Sequence, residues 1–269
     1  MKLDEIIRPA NRRAFLRNAG LAGVGLAGTA LIGSKFAGKS LDVQAASNYR
    51  DPEILNFALN LEYLEAEFYA VSTYGATLVQ LGVITESETT GPTIGGNMIK
   101  NFGSSPLAFL ATGLRDDEIA HVQYLRSALG SEAVKKPAID LAALGYGFSS
   151  VDSWLKLARQ FEDVGISAYL GAAPLISSST YLAAAAAILS TEAQRSGSIR
   201  SACIQNGVTS PTVDSSDVPP TPKAPYDVDK NALSIPRTPS EVLNIVYAGG
   251  ECSGGFYPAG MNGSIVCRS

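Results

Sequence analysis

Four long stretches of helical period each set a glutamate inside a stripe that should be hydrophobic. Apolar residues on a core-facing helix recur at i, i+3, i+4 and i+7. The first stripe reads Leu55, Leu59, Glu62, Ala66 and Tyr69, and the second Leu107, Ala111, Leu114, Glu118, His121 and Leu125. The third is Leu155, Ala158, Glu162, Gly165 and Tyr169, and the fourth Tyr181, Ala185, Ile188, Glu192, Arg195 and Ile199. A single glutamate so placed is ordinarily a boundary residue reaching out to water. Four in succession, one of them beside the only histidine of the chain, need a common reason. Burying one ionised carboxylate is costly and burying several together is worse, so cations must balance them. Facing helices of a bundle can bring such side chains to one centre. Carboxylates with an imidazole are a donor set for iron or manganese, and Glu118 and His121, three residues apart, point the same way along their helix. Periodicity leaves Glu62 and Glu65 nearly tied on the first helix, because Glu65 lies beside Ala58, Leu61 and Phe68; Glu67 reads as solvated.

Stop and start signals set the order of these helices. Asp51-Pro52 reads as an N-cap with proline in the first turn, and the helix runs to about Tyr74. Residues 75–104 form a polar insert rich in Gly and Thr. Ser105-Pro106 opens a second helix that reaches Leu129; a third runs from near Ser150 to about Ala172, with Pro174 just beyond, and a fourth from about Thr180 to Cys203. The expected fold class is all-α: an up-down four-helix bundle over residues 50–205, with a long first inter-helix insert. Residues 206–269 form an irregular extension rich in Pro and Gly. Its one short helix is opened by the capping box Thr238-Pro239-Ser240-Glu241 and ended by Gly249-Gly250. No strand-period pattern is long enough to build a sheet.

The first 45 residues are set apart from this fold. Arg12-Arg13-Ala14-Phe15-Leu16 precedes a short apolar run rich in Gly and Ala, which reads as a twin-arginine export signal, with cleavage expected after Ala45 and a periplasmic destination. The rest carries 14 Lys and Arg against 22 Asp and Glu, since 7 of the 21 basic and 3 of the 25 acidic residues lie in the first 45. That sign excludes a general nucleic-acid or anionic-membrane binder, and no integral span is expected after cleavage. Cys203, Cys252 and Cys267 show no zinc spacing. Cys252 and Cys267 flank a Gly-rich loop and are the preferred disulfide, although pairing of either with Cys203 stays open. No G-x-S-x-G elbow, P-loop or dinucleotide fingerprint is present.

With Glu118-x-x-His121 and the other glutamates in place, the chain resembles the ferritin-like superfamily, and in detail the bacterial ferritin-like domain family that includes the plant desiccation-related proteins. The resemblance covers roughly residues 50–203. The tail GGFYPAGMNGSI is also similar to that family. In ferritin-like proteins generally, the metal-site glutamate of the first helix commonly has a tyrosine seven residues later; Glu62 with Tyr69 matches and Glu65 does not. The resemblance therefore implies metal ligands Glu62, Glu118, His121, Glu162 and Glu192, with Tyr69 near the centre as a hydrogen-bond or redox partner. It departs at the fourth helix, where Glu192-x-x-Arg195 puts arginine in the place of a second histidine. A guanidinium cannot ligate a metal but can hold carboxylates.

Three states follow from that substitution. The first is one metal or an incomplete pair, the second an ion-pair cluster with no metal, and the last a complete pair. The resemblance implies iron or manganese and Fe(II), O₂ or peroxide chemistry in an exported stress-protection protein. The alternative is a non-enzymatic stress or envelope protein whose site Arg195 has closed. Cage assembly is not expected past the insert and the extension; a homodimer, or a protein partner for the extension, is left open.

Overall fold

The computed structural model describes residues 49–268, so the proposed export signal lies outside the described residues. Four long helices form the bundle: α1 (Asp51–Tyr74), α2 (Ser105–Leu129), α3 (Val151–Ala172) and α4 (Ser179–Gln205), followed by the short α5 (Pro239–Val246). The caps differ in detail from the sequence expectation. Asp51 is already the first helical residue of α1, where its carboxylate takes hydrogen bonds from the Ser177 and Ser178 backbone, and Glu53 instead receives the Arg50 N–H. Ser104, not Ser105, caps α2 by accepting from the Leu107 N–H. Ser150 and Ser178 cap α3 and α4 in the same way. Thr238 and Glu241 form the capping box of α5.

The helices pair strongly as α1 with α2 and α3 with α4. Helix α1 is enclosed on all sides within the described residues: every residue from Ile54 to Ser72 is buried. A bundle alone would leave one face of α1 open. Here the insert covers it at one end, and the C-terminal tail lies along it, with Tyr257 donating to Asn60 O at 2.7 Å and the Asn60 side chain donating to Asn262 O at 2.8 Å. That covering overturns the reading of Glu67. It is not solvated but fully buried, with Lys136 Nζ at 3.8 Å and the Leu78 N–H donating to it.

Two strands of two residues each, β1 (Thr93–Ile94) and β2 (Ile139–Asp140), pair in parallel and tie the insert to the α2–α3 connection. They are too short to show a period in the sequence. The extension has no long regular element, as its prolines require, yet it is anchored by buried ion pairs. Arg159 of α3 holds Asp217 through Nη1 at 2.7 and 2.8 Å, and Arg200 of α4 holds Asp163 at 2.6 Å while its other nitrogens donate to the Pro225 and Val218 carbonyls. Cys252 and Cys267 form the disulfide, and Cys203 is free and buried between α3 and α4, its thiol pushed up to about 11 by burial.

Candidate metal centre

Midway along the bundle each long helix turns one carboxylate inward, and α1 turns two. Glu62, Glu118, Glu162 and Glu192 are each at most 3 % exposed, and Glu65 only 6 %. The near-tie on α1 thus has a structural answer: Glu62 and Glu65, one turn apart, both face the centre. Glu65 was not among the expected ligands. Its only sequence signal was the apolar company of Ala58, Leu61 and Phe68.

The ligand atoms fall into two overlapping groups, each within 4.8 Å: Glu62, Glu118, His121 and Glu192, and Glu65, Glu118, Glu162 and Glu192. In the first, His121 Nδ1 stands 3.2 Å from Glu62 Oε2, 3.2 Å from Glu192 Oε1 and 3.8 Å from Glu118 Oε2. Glu62 also accepts from the Tyr169 hydroxyl. In the second, Tyr69 donates to Glu162 Oε1 at 2.5 Å, so the tyrosine seven residues after Glu62 serves the glutamate of α3. Gln194, Ala193 and the other exposed residues of α4 face away.

Arg195 lies among these groups. Nη1 donates to Glu118 Oε1 at 2.5 Å, Nη2 donates to Glu192 Oε1, and Nε is 3.9 Å from Glu162 Oε2. Nη2 also sits 3.0 Å from His121 Nδ1. That nitrogen cannot both accept from Arg195 and donate to a carboxylate. Without a bound ion the second role prevails: burial alone would lower the His121 pKa, but hydrogen bonds to Glu192 and Glu62 raise it to about 9. A neutral imidazole would instead direct its lone pair at the point where Glu62, Glu118 and Glu192 meet.

Charge counting shows that the protein side chains alone do not balance. Five carboxylates face one guanidinium and one imidazole. Burial, then repulsion from neighbouring carboxylates, holds Glu65, Glu118 and Glu162 well above the usual carboxylate range. Glu62 is held below it, because the hydrogen bond and charge of His121 outweigh its burial. Oε2 of Glu65, Glu118, Glu162 and Glu192 has no hydrogen-bond partner although fully buried. Orphaned buried carboxylate oxygens are expensive, and four converging on one region are the donor set a hard or borderline cation requires. The residues present therefore fit a metal ion.

Among the described residues no helix is long and apolar enough to cross a membrane. The ferritin-like domain family matches residues 50–205, more than half of the chain. No curated protein matches it.

Proposed function

The chain belongs to the ferritin-like domain family, and from that premise we propose that it is an exported metal protein that binds iron or manganese through Glu62, Glu118, His121 and Glu192, with Glu162 alongside, and acts in stress protection. The observation that carries the reading is the set of four buried, unpartnered carboxylate oxygens around His121 and Arg195. Export rests on the Arg12-Arg13 pattern and the apolar run that follows it. Closeness to the desiccation-related proteins rests on the tail GGFYPAGMNGSI, residues 254–265.

A bound iron or manganese ion supplies one-electron chemistry toward O₂ or peroxide. The residues of the chain prepare its surroundings. Tyr169 fixes Oε1 of Glu62, whose Oε2 faces His121 Nδ1, and Tyr69 fixes Oε1 of Glu162, whose Oε2 has no partner. Both phenols are held well above their ordinary pKa, by burial first and then by the adjacent carboxylates, so they stay protonated donors. His121, with its side chain 12 % exposed, is the most open member of the cluster, which supports an approach for ions and small oxidants beside α2. Arg195 contributes a fixed positive charge that offsets one carboxylate permanently.

The same guanidinium supports a second reading, a metal-free scaffold in which Arg195 clamps Glu118 and Glu192 and the protein serves a non-enzymatic envelope role. Metal content by mass spectrometry on protein purified without chelator separates the two. Wild type should carry iron or manganese and Glu118→Ala should lose it. Equal, near-zero metal in both would leave only the scaffold.

A further inference from the structure

We propose that the chain carries a binding pocket for a neutral oligosaccharide, set between the start of α2, the end of α4 and the Pro225-Tyr226 segment of the extension. The pocket shares no residue with the metal centre and does not depend on it.

Three observations carry it. The first is the chemistry of the walls. The cavity has a volume of about 590 Å³, inside the roughly 300–1,000 Å³ range of small-molecule sites. Among the described residues its lining holds no Asp, Glu, Lys, Arg or His, so a charged ligand would enter without a counter-charge. The start of α2 offers an anion little: Pro106 has no N–H, and Ser104 Oγ takes the Leu107 N–H at 3.4 Å. Leu107, Leu110 and Ile204 give the cavity apolar walls, while Gln194, Ser198, Ser201, Gln205 and Asn206 give it amides and hydroxyls along α4. The three amides each donate one N–H within that helix, to Ser190 O, Ser201 Oγ and Ala202 O. A second N–H and the amide oxygen of each are left for a ligand. Hydroxyl groups both donate and accept, and a sugar ring adds C–H faces for the apolar side.

The second observation is Tyr226, which is 66 % exposed on a segment that is nevertheless pinned: the buried Arg200 donates from Nε to Pro225 O at 2.8 Å. A held, open aromatic face at the edge of a cavity is a platform for stacking. The third is Gly197, in the interior of α4, where glycine is a poor helix former. It is not among the glycines of positive φ, and a Cβ there would meet nothing within 4 Å. Neither backbone freedom nor packing accounts for it. It does line the cavity, where a missing side chain lets a ligand approach the helix backbone.

Titration of the full chain with maltose, cellobiose and sucrose, followed by calorimetry and by amide NMR, tests this. At least one sugar should bind saturably, at millimolar dissociation constant or tighter, and shift the Gly197 amide and the Tyr226 ring signals. Tyr226→Ala should weaken that binding about tenfold or more, and Tyr226→Phe should keep it. Gly197→Ala should move two readouts in opposite directions. Its unfolding midpoint should rise by about 2 to 4 °C, since the added methyl meets no obstacle, while sugar affinity falls about tenfold or more. Metal content of these variants should equal that of wild type. No saturable response to any of the three sugars would overturn the pocket, as would a response that Tyr226→Ala and Gly197→Ala leave unchanged. Tighter binding of maltose 1-phosphate than of maltose would overturn its preference for a neutral ligand.

Discussion

Arg195 of α4 donates to Glu118 of α2 at 2.5 Å, between helices that belong to different strongly paired halves of the bundle. The bond joins the residue that departs from the Glu-x-x-His spacing to the carboxylate shared by both ligand groups. It makes the arginine an internal counter-ion, fixed by the fold and independent of any bound metal.

Replacing that counter-ion should therefore separate apo stability from metal affinity. Arg195→His removes a charge that faces buried carboxylates, and breaking such a pair costs roughly 3 to 5 kcal/mol. Urea unfolding of metal-free protein should show that loss. Added Mn²⁺ should recover it, with affinity above wild type because a nitrogen donor replaces a cation. A variant as stable as wild type without metal would mean that Arg195 carries no electrostatic role.

Acidity should act on metal binding with a definite sign. Glu65, Glu118 and Glu162 hold protons above the usual carboxylate range, and His121 holds one up to about 9. Through His121 the folded, metal-free chain thus binds more protons than the unfolded one between about pH 6.5 and 9, and the raised carboxylates act in the same direction, so stability falls as pH rises through that window. The His121 contribution is complete below about 6.5 and is lost through about 9. Glu62, shifted the other way, acts only at acid pH. A metal must displace these protons, so affinity should rise about tenfold per pH unit for each proton released. Calorimetry in buffers of different ionisation enthalpy checks this; no proton release and a flat affinity from pH 6 to 8 would refute it.

The Glu67–Lys136 pair should be costly to break and cheap to replace. In both partners burial works toward the neutral form against the attraction of the other: Glu67 is raised and Lys136 lowered. Lys136 Nζ also donates to the Gly91 and Pro137 carbonyls and to Thr93 Oγ1. Lys136→Ala should lose roughly 3 to 5 kcal/mol by leaving Glu67 buried alone, whereas Lys136→Met with Glu67→Gln should stay much nearer wild type. Chemical denaturation of the single and double variants gives the comparison, and an additive pair of losses would contradict it.

Arg159 ties the extension to the bundle. It is fully buried and held by Asp217, Ser210 and the Pro211 carbonyl. Asp217→Ala should destabilise the whole domain by a similar roughly 3 to 5 kcal/mol in one cooperative transition. If the extension were a loose linker, the variant would unfold at the wild-type midpoint.

Much of this protein was legible in its sequence because helices and their caps are local. The four long segments appear within a few residues of their expected bounds, since capping serines, first-turn prolines and apolar period act within one or two turns. The inward glutamates were legible for the same reason: a charge in an apolar stripe stands out against its neighbours three and four residues away. Periodicity failed on α1, where it assumes that one face meets water. With tail and insert laid over that face, Glu67 is as buried as Glu62.

The sequence by itself determined the helices, the stripe that points each of Glu62, Glu118, Glu162 and Glu192 inward, and the guanidinium that stands where a second imidazole would be. Only tertiary structure decided which oxygens meet. Glu65 entered the centre because Gly165 on another helix leaves it room, Tyr69 bonded Glu162 of α3, and Arg195 took one edge of two carboxylates while their other edges stayed open. Backbone propensity acts over a single turn, but the distance between charges on different helices is set by packing, and packing is a property of the assembled bundle.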